Sequence, residues 1–376
     1  METIAPATAG ELAAGLGEAA SAGKRILIEG KGSKQRAGGA IAPADVRVST
    51  LALDQIHEYE PRDLTISAGA GVSWARLTEV VGRDGYMVPL DPCFTAQATV
   101  GGVVSANSSG PRRRLYGSAR DLVIGILFCT LEGKIVQSGG MVVKNVAGLD
   151  MGKLMIGSLG TLAAIATVNF KLIPKPAGSL TFLFEFPTLA GAIGLRDRLI
   201  RGVLQPSAVD LLNPAASASL GRTGWLLAAG VAGNQATLER YRKELAGGEI
   251  LDGAPESQFW ARIREFPARF LAENPAGAVI RVSVTLTALQ GCMEKLPGIV
   301  IARAANGICY CLLADPAQAG EAYPLGKSLM EYGPQARDEK LLQWPETGSG
   351  FNMMQRIKNM FDPNHLLNRG RFYGRL

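Results

Sequence analysis

The segment Asp91-Pro92-Cys93-Phe94-Thr95-Ala96-Gln97-Ala98-Thr99-Val100-Gly101-Gly102 runs on through Ser105, Asn107, Ser108, Ser109 and Gly110. It is a small-residue, largely polar tract between apolar neighbours. Such a composition cannot build a core by itself, so its backbone donors and acceptors need partners. Long loops without a role are uncommon in compact domains. The tract is therefore read as the lining of a ligand site.

Working outward, glycine clusters recur on both sides of it. Gly30-Lys31-Gly32-Ser33-Lys34, followed by Gln35, comes directly after a probable strand at Ile26–Glu29. Glycines two apart let backbone N–H groups converge on an anion, and Ser33 adds a hydroxyl donor. The loop lacks the G-K-[ST] ending of a Walker loop. Gly69-Ala70-Gly71-Val72-Ser73-Trp74 imitates a dinucleotide fingerprint, with Asp91 at a suitable distance downstream. Trp74 fills the third glycine position and Pro89 interrupts the strand that should deliver Asp91, so that reading is rejected. Further on, Asn145-Val146-Ala147-Gly148-Leu149-Asp150 and Gly157-Ser158-Leu159-Gly160-Thr161-Leu162 precede a long strand that includes Ile165. A flavin ring with its pyrophosphate would satisfy the many donors of these segments.

Composition narrows the classes. The chain has 376 residues, 47% hydrophobic and 19% charged, which excludes a disordered protein and suits two domains. Its 46 glycines are about 12% of the chain, against a usual figure near 7%. No Gly-X-Y period or Gly/Ser tract accounts for them, so tight turns and close backbone approaches do. Two histidines, His57 and His365, exclude any site built on three imidazoles. The five cysteines show no C-x-x-C pair or cluster-ligating run, and fit buried thiols in a reducing compartment. The net charge of +6 comes from scattered bases with few aromatics, which argues against a nucleic-acid partner. The first lysine is Lys24, with no basic start and apolar stretch of a secretory signal. No apolar run approaches the ~20 residues that cross a bilayer, so a cytoplasmic protein is expected.

The periodicity predicts a helix over Glu11–Ala22 and strands at Ile26–Glu29, Val46–Ser49 and Leu64–Ala68. A helix over Ser73–Val81 follows, then strands at Leu122–Leu131, Ile135–Gln137 and Ala163–Ile173. Pro174-Lys175-Pro176 with Gly178 marks a linker. Beyond it, strands at Phe182–Phe186, Trp225–Ala229, Val279–Leu286 and Ile308–Leu313 alternate with helices at Leu189–Arg201, Ala236–Leu245 and Ser257–Leu271. A last helix over Gly350–Phe361 ends at Asp362-Pro363. The expected fold class is α+β, in two domains of residues 1–176 and 177–376.

Taken in order, these segments resemble the FAD-linked oxidases of the vanillyl-alcohol oxidase / p-cresol methylhydroxylase (PCMH) type, and among them the FAD-binding subunits of bacterial glycolate oxidases. The residues behind the resemblance are Gly30–Lys34, Ala98–Gly102, Tyr116-Gly117 with Arg120-Asp121, Lys144–Asp150 and Gly157–Leu162. Phe361–Asn364 and Asn368-Arg369-Gly370-Arg371 complete the set. The resemblance implies a two-subdomain PCMH-type FAD-binding domain over residues 1–176. An α+β cap over 177–376 would follow, with its C-terminal tail returning to the flavin. It implies FAD contacts from Gly30, Lys31, Gly32, Ser33, Lys34, Gln35, Asp91, Pro92, Ala98, Thr99, Val100, Gly101, Gly102, Ser105, Gly110, Gly117, Gly157, Gly160 and Ile165. A side chain at Gly32 or Gly101 is expected to collide with the cofactor. Where covalent relatives have a flavin-linked histidine, this chain has Ser33, Lys34 and Gln35, so FAD is expected to be non-covalent. Leu159 replaces the acid of Gly-Ser-Glu-Gly versions, and the cap strand Ala305–Cys311 has no histidine.

The activity implied is oxidation of a small 2-hydroxy acid, glycolate, to its oxo acid. The implied partners are a larger FAD-linked oxidase subunit and an iron–sulfur subunit that receives the electrons, with any membrane attachment made through those partners. Such chemistry needs a base, a cationic clamp for the carboxylate and a dry site. Arg371 and Arg112–Arg114 are candidate clamps, Tyr310 a candidate base, and no metal ligands are expected. A self-sufficient D-2-hydroxy-acid (D-lactate-like) dehydrogenase and a non-catalytic scaffold subunit stay open as alternatives.

Overall fold

The computed structural model describes residues 1–142, 150–336 and 344–376, so residues 144–149 of the sequence reading lie outside the description. The fold is α+β. The chain divides into two compact units: residues 1–109, 118–175 and 346–376 form the first, and residues 110–117 and 176–345 the second. The linker read at Pro174–Pro176 thus coincides with a crossing point. The final 31 residues, 346–376, join the first unit, while Gly110–Gly117 joins the second.

The first unit begins with β1 (Glu2–Ile4), α1 (Ala9–Ser21), β2 (Ile26–Glu29) and β3 (Val46–Ser49), where β3 lies between β1 and β2 in a parallel three-stranded sheet. The Thr8 side chain caps α1 by accepting the Glu11 N–H at 3.1 Å. Leu12 and Leu16 recur at helical spacing and are fully buried. Burying each contributes about 1.5–3 kcal/mol.

A second sheet contains β4 (Ile56–Glu60), β5 (Thr65–Gly69), β7 (Val123–Cys129), β8 (Ile135–Gly139) and β9 (Ala164–Lys171) in the order β4-β5-β9-β7-β8. All of its pairings are antiparallel, which excludes the doubly wound reading of the Gly69–Trp74 segment. Gly71 serves packing instead: a Cβ there would lie 2.2 Å from the Thr50 carbonyl oxygen. One face of β9 packs Ala164 and Ala166 toward α1, and the other packs Ile165, Val168 and Phe170 into a larger core. That core also takes Trp74 and Leu77 of α2 (Trp74–Arg83) and Val100, Val103 and Val104 of α3 (Val100–Ser105). Trp74 meets Phe170 edge-on at 6.1 Å. A short antiparallel pair, β6 (Tyr86–Met87) with β10 (Ile173–Pro174), closes the unit before the linker.

The second unit is built on one eight-stranded antiparallel sheet. Its strands are β11 (Gly178–Phe186), β12 (Ala208–Leu212), β13 (Trp225–Gly233), β14 (Glu249–Leu251), β15 (Ala278–Ser283), β16 (Ile299–Arg303), β17 (Ile308–Leu313) and β18 (Lys327–Tyr332). They lie in the order β14-β11-β13-β12-β16-β17-β15-β18. One face holds a core of Phe182, Leu211, Ile280, Val300, Cys309 and Cys311 against the helix Leu189–Arg201. The expected single helix over Ser257–Leu271 is two, Gly253–Arg264 and Phe266–Glu273, because Pro267 sits in the first turn of the second.

Candidate functional site

β2 ends at Glu29 and hands the chain to the Gly30–Gln35 turn. Among the described residues, the amides of Lys31, Gly32 and Ser33 donate to no acceptor. Gly32 lies at φ +74°, a conformation that turns successive N–H groups to one side. Side chains brace the turn from beneath. Gln35 Nε2 donates to Glu29 Oε2 at 2.6 Å, and Arg47 Nε pairs with Glu29 Oε1 at 2.9 Å. Lys34 is buried, with Nζ donating to the Cys93 carbonyl at 2.5 Å and lying 4.8 Å from the Phe94 ring centroid.

The opposite wall comes from the start of α3. Thr99 is its N-cap, accepting the Gly102 N–H at 3.3 Å. A Cβ on Gly30 would sit 2.5 Å from Thr99 Oγ1, so the turn and the cap touch only because residue 30 is glycine. Gly101 has a different partner. Its Cβ would lie 2.8 Å from the Ala70 Cβ, and its N–H donates to the Ala70 carbonyl at 2.9 Å. With Ser105, Gly160 and Ile165, these residues line a cleft that opens to solvent.

The C-terminal tail forms the floor. Leu367 bridges Ile26 in parallel, extending the β2 edge. Asn368 Oδ1 accepts the Ile28 N–H at 2.7 Å, and its Nδ2 donates to the Leu159 carbonyl at 2.7 Å. Arg371 is buried beneath the turn and donates to the carbonyls of Lys34 (3.1 Å), Gln35 (2.7 Å), Gly39 (2.9 Å) and Ala37. Burial pushes its guanidinium down to about 9, still protonated at neutral pH. Lys358, on the C-terminal helix Phe351–Phe361, is buried against Asp362 at 2.6 Å and donates to the Thr161 carbonyl at 2.8 Å. Its pKa is lowered by burial, against the pull of Asp362.

Of the residues expected at the cofactor, the structure brings together Gly30 through Gln35, Thr99, Gly101, Gly102, Ser105, Gly160 and Ile165. Several others do not line this cleft. Ala98 and Val100 point into the core behind α3. Asp91 and Pro92 are not among its lining residues, although their neighbours Cys93 and Phe94 meet Lys34. Gly110 and Gly117 fall in the second unit, and Gly157 makes a left-handed turn at φ +85° beside Asn107. Arg371 is not a substrate clamp, because loop carbonyls occupy its guanidinium. Ala163, at the start of the strand expected beside the cofactor, and Asn368, in the tail expected to return to it, also line the cleft; Thr50 and Ala70 line it without having been expected there. The Asn368-Arg369-Gly370-Arg371 motif was visible in the sequence, but the carbonyl partners of Arg371 lie more than 330 positions away, and those of Asn368 lie 209 and 340 away.

No histidine lines the cleft. His57 sits on the outer face of the five-stranded sheet, with Nε2 3.4 Å from Thr167 Oγ1, and His365 occupies the turn after the C-terminal helix. Glu29 is the cleft's carboxylate among its described lining residues, and it is held by Arg47 and Gln35.

The second unit has its own polar cluster, on the sheet face opposite the core. Register pairs Asp210 with Arg303 and Tyr310 with Arg281, and Arg281 lies 3.5 Å from Glu331. Arg303 forms an ion pair with Asp210, and its guanidinium carbon lies 5.4 Å from the Tyr310 ring centroid. Burial raises the Tyr310 pKa and Glu331 adds to the rise, outweighing Arg303, Arg281 and Arg113. The phenol is therefore protonated at neutral pH and is no ready base. Arg114, the third of the arginine triple, donates to Gln205 Oε1 at 2.8 Å.

The cleft fits a dinucleotide. Three amides without a protein acceptor converge at a glycine turn, the arrangement that receives a diphosphate. Beyond them, the buried Asn107 Oδ1 has no donor among the described residues. Fold and cleft together suit a protein that holds an extended dinucleotide. Residues 2–139 match the family model described as an FAD binding domain, and residues 336–372 match that of the FAD linked oxidases, C-terminal domain. The chain thus carries an FAD binding domain and the C-terminal domain of the FAD linked oxidases, and FAD is its cofactor. It is similar to glycolate oxidase subunit GlcE of Escherichia coli (strain K12), at 28% identity over 93% of both chains. It is also similar to glycolate oxidase subunit GlcD of Bacillus subtilis (strain 168), at 31% identity over 50% of this chain and 41% of that one. The D-lactate dehydrogenase of Archaeoglobus fulgidus matches at 28% over 51% and 42%. The chain thus spans about two fifths of those two longer relatives. Among solved structures, an alkyldihydroxyacetonephosphate synthase matches with a TM-score of 0.72 at 15% identity, covering 97% of this chain and 75% of that one.

Proposed function

We propose that this FAD-dependent oxidoreductase is the FAD-binding subunit of a glycolate-oxidising complex. Its electrons would pass from a 2-hydroxy acid, through flavin, to an iron–sulfur partner. A larger FAD-linked oxidase subunit would complete the assembly. The observation behind this reading is a cleft rich in cofactor donors yet without an imidazole or a free carboxylate among its described lining residues. A chain that holds the cofactor well and offers no base beside it suits a role shared with other subunits.

Bound FAD supplies the acceptor for the hydride equivalent that leaves the hydroxy acid. The chain's own residues do the rest. The Lys31, Gly32 and Ser33 amides would hold the diphosphate, with Thr99, Gly102 and Ser105 forming the facing wall. Lys34 and Gln35 are engaged by Cys93 and Glu29, and no histidine stands in the loop, so we propose non-covalent binding. Among the described residues no helix is long and apolar enough to cross a membrane. We propose a cytoplasmic protein that meets the membrane only through its partners.

A second reading, a self-sufficient D-2-hydroxy-acid dehydrogenase, is favoured by the Arg113, Arg281, Arg303 and Tyr310 group, which could receive a carboxylate. Anaerobic mixing separates the two. Glycolate that bleaches the flavin only when the partner subunits are present supports the complex. Bleaching of the isolated, FAD-loaded chain by glycolate or D-lactate overturns it in favour of the second reading.

A further inference from the structure

The tail does more than cover an edge. Four backbone carbonyls, those of Lys34, Gln35, Ala37 and Gly39, converge on the Arg371 guanidinium. Carbonyl dipoles aimed at one point repel one another unless a cation lies between them, so the loop from residue 34 to 39 needs that charge to keep its shape. The loop is also wired to the turn before it: the Gln35 N–H donates to the Gly32 carbonyl at 3.2 Å, and the Ala37 N–H to the Lys34 carbonyl at 3.0 Å. Pinning residues 34–39 therefore fixes the direction in which the unpartnered Lys31, Gly32 and Ser33 amides point. Arg371 Nε is buried without a partner, so the guanidinium gives its donors to the loop at the cost of one unmade bond.

We propose that Arg371 is a positioning residue for the cofactor, acting through the carbonyls of Lys34–Gly39 to pre-shape the amide nest at Lys31–Ser33. The inference rests on the placement of the FAD diphosphate at that nest. It makes the extreme C-terminus, 337 positions away from Lys34, part of the binding determinant although the guanidinium is spent on protein carbonyls. Lysine cannot replace it fully. An ammonium has three donors on one atom and could meet the Gln35, Ala37 and Gly39 carbonyls that share Nη1, but it has no second nitrogen for the Lys34 carbonyl that Nη2 reaches.

The test is reconstitution of flavin-stripped full-length chain with FAD, in wild type, Arg371→Gln and Arg371→Lys, followed by fluorescence quenching and by amide hydrogen exchange. Arg371→Gln is expected to raise the FAD Kd at least tenfold. Exchange should speed up at residues 34–39 while β3 and β9 stay protected. Arg371→Lys should lie between the two at pH 6.5 and weaken further toward pH 8, as its buried ammonium loses its proton, whereas wild type stays flat over that range. A folded Arg371→Gln chain with an FAD Kd within twofold of wild type overturns the proposal. If that variant does not fold, an Arg371→Lys chain with wild-type affinity and a flat pH profile overturns it. FAD that fails to slow exchange at Lys31–Ser33 in wild type also overturns it, and does so by removing the placement beneath it. Slowed exchange there with an unchanged Kd in Arg371→Gln removes Arg371 alone.

Discussion

Two glycine-bearing segments face each other across the cleft, and they use glycine for opposite reasons. In the Gly30–Gln35 turn, glycine leaves backbone donors free: Lys31, Gly32 and Ser33 donate to no acceptor among the described residues, and Gly32 adopts φ +74°. In the Thr99–Ser105 segment, glycine lets a helix approach a strand: the Gly101 N–H is already spent on Ala70, and its missing Cβ is where the Ala70 methyl sits. One region is poised for a ligand and the other is core. Similar composition thus conceals different physics, and substitutions at the two sites should fail in different ways.

The largest expected effect lies on the core side. Gly101→Val puts a branched side chain against Ala70, where even a Cβ would lie 2.8 Å from a neighbouring carbon. Overpacking of a tight core typically costs about 1–3 kcal/mol, and a rigid helix–strand contact belongs at or above the top of that range. The expected outcome is a chain that is insoluble or melts well below wild type whether or not FAD is added. The sequence reading attributed this position to a clash with cofactor. A Gly101→Val protein with normal thermal stability that merely lacks FAD would restore that view and dissolve the contrast. Gly32→Val comes next. A β-branched residue at positive φ costs about 1–3 kcal/mol of local strain, and relieving it would swing the amides away from the cleft. Apo stability should fall modestly, while FAD retention falls by about a hundredfold or more in equilibrium dialysis. Retention equal to wild type would mean that the nest is not the phosphate site.

The same contrast explains what could be read from the residues alone. Ile26–Glu29, Leu189–Arg201 and Ile308–Leu313 were legible to the residue, because each has an uninterrupted pattern between clear turn signals. The α3 segment was read as loop. Valines and two glycines make Val-Gly-Gly-Val-Val-Ser a poor helix by propensity, and burial against β5 overrides that preference. Strand Ala208–Leu212 was hidden by Asp210, whose charge breaks the apolar run until Arg303, on a strand far along the chain, pairs with it. The strand read over Leu122–Leu131 is Val123–Cys129, because Leu122 ends the helical turn Ala119–Leu122, which a capping box starts with Asp121 accepting the Ser118 N–H at 2.8 Å. In the site, local glycine chemistry singled out residues 30–35, and the fold gathers them around one cleft. The role of Arg371 depends on partners brought close only by the fold, and nothing in its neighbours signals four carbonyls.

Lys34 sharpens the comparison with a smaller effect, since it joins the turn to the segment before α3. Lys34→Met keeps the stem's volume and removes the ammonium that satisfies the Cys93 carbonyl. Leaving a buried acceptor unmatched costs about 1–3 kcal/mol. Thermal stability should drop by a few degrees, and FAD affinity by about tenfold, through loosening of the turn. An unchanged affinity with lowered stability would show that the turn keeps its shape without this tie, and would leave Arg371 as the dominant brace.

The smallest effect concerns the sheet that presents the turn. At its edge, Arg25 Nε donates to Asp45 Oδ2 at 2.8 Å, and the Arg25 N–H donates to the same oxygen at 2.9 Å. These bonds hold the Asp45 carboxyl well below the usual carboxylate range. The sign follows from linkage: a depressed acid pKa means that the unfolded chain takes up protons first. The contribution is therefore present above the unfolded value near 3.9 and disappears as pH falls through the folded value. The pair is solvent-exposed, so the stabilisation is small and salt-sensitive. Asp45→Asn should melt slightly below wild type at pH 7 and low salt, with the gap closing as pH drops below about 4 or as salt is raised. FAD affinity should hardly move, because the turn's shape is set by Lys34, Gln35 and Arg371 rather than by the far end of β2. A large loss of FAD in Asp45→Asn would mean that the whole three-stranded sheet, and not the turn alone, responds to the cofactor.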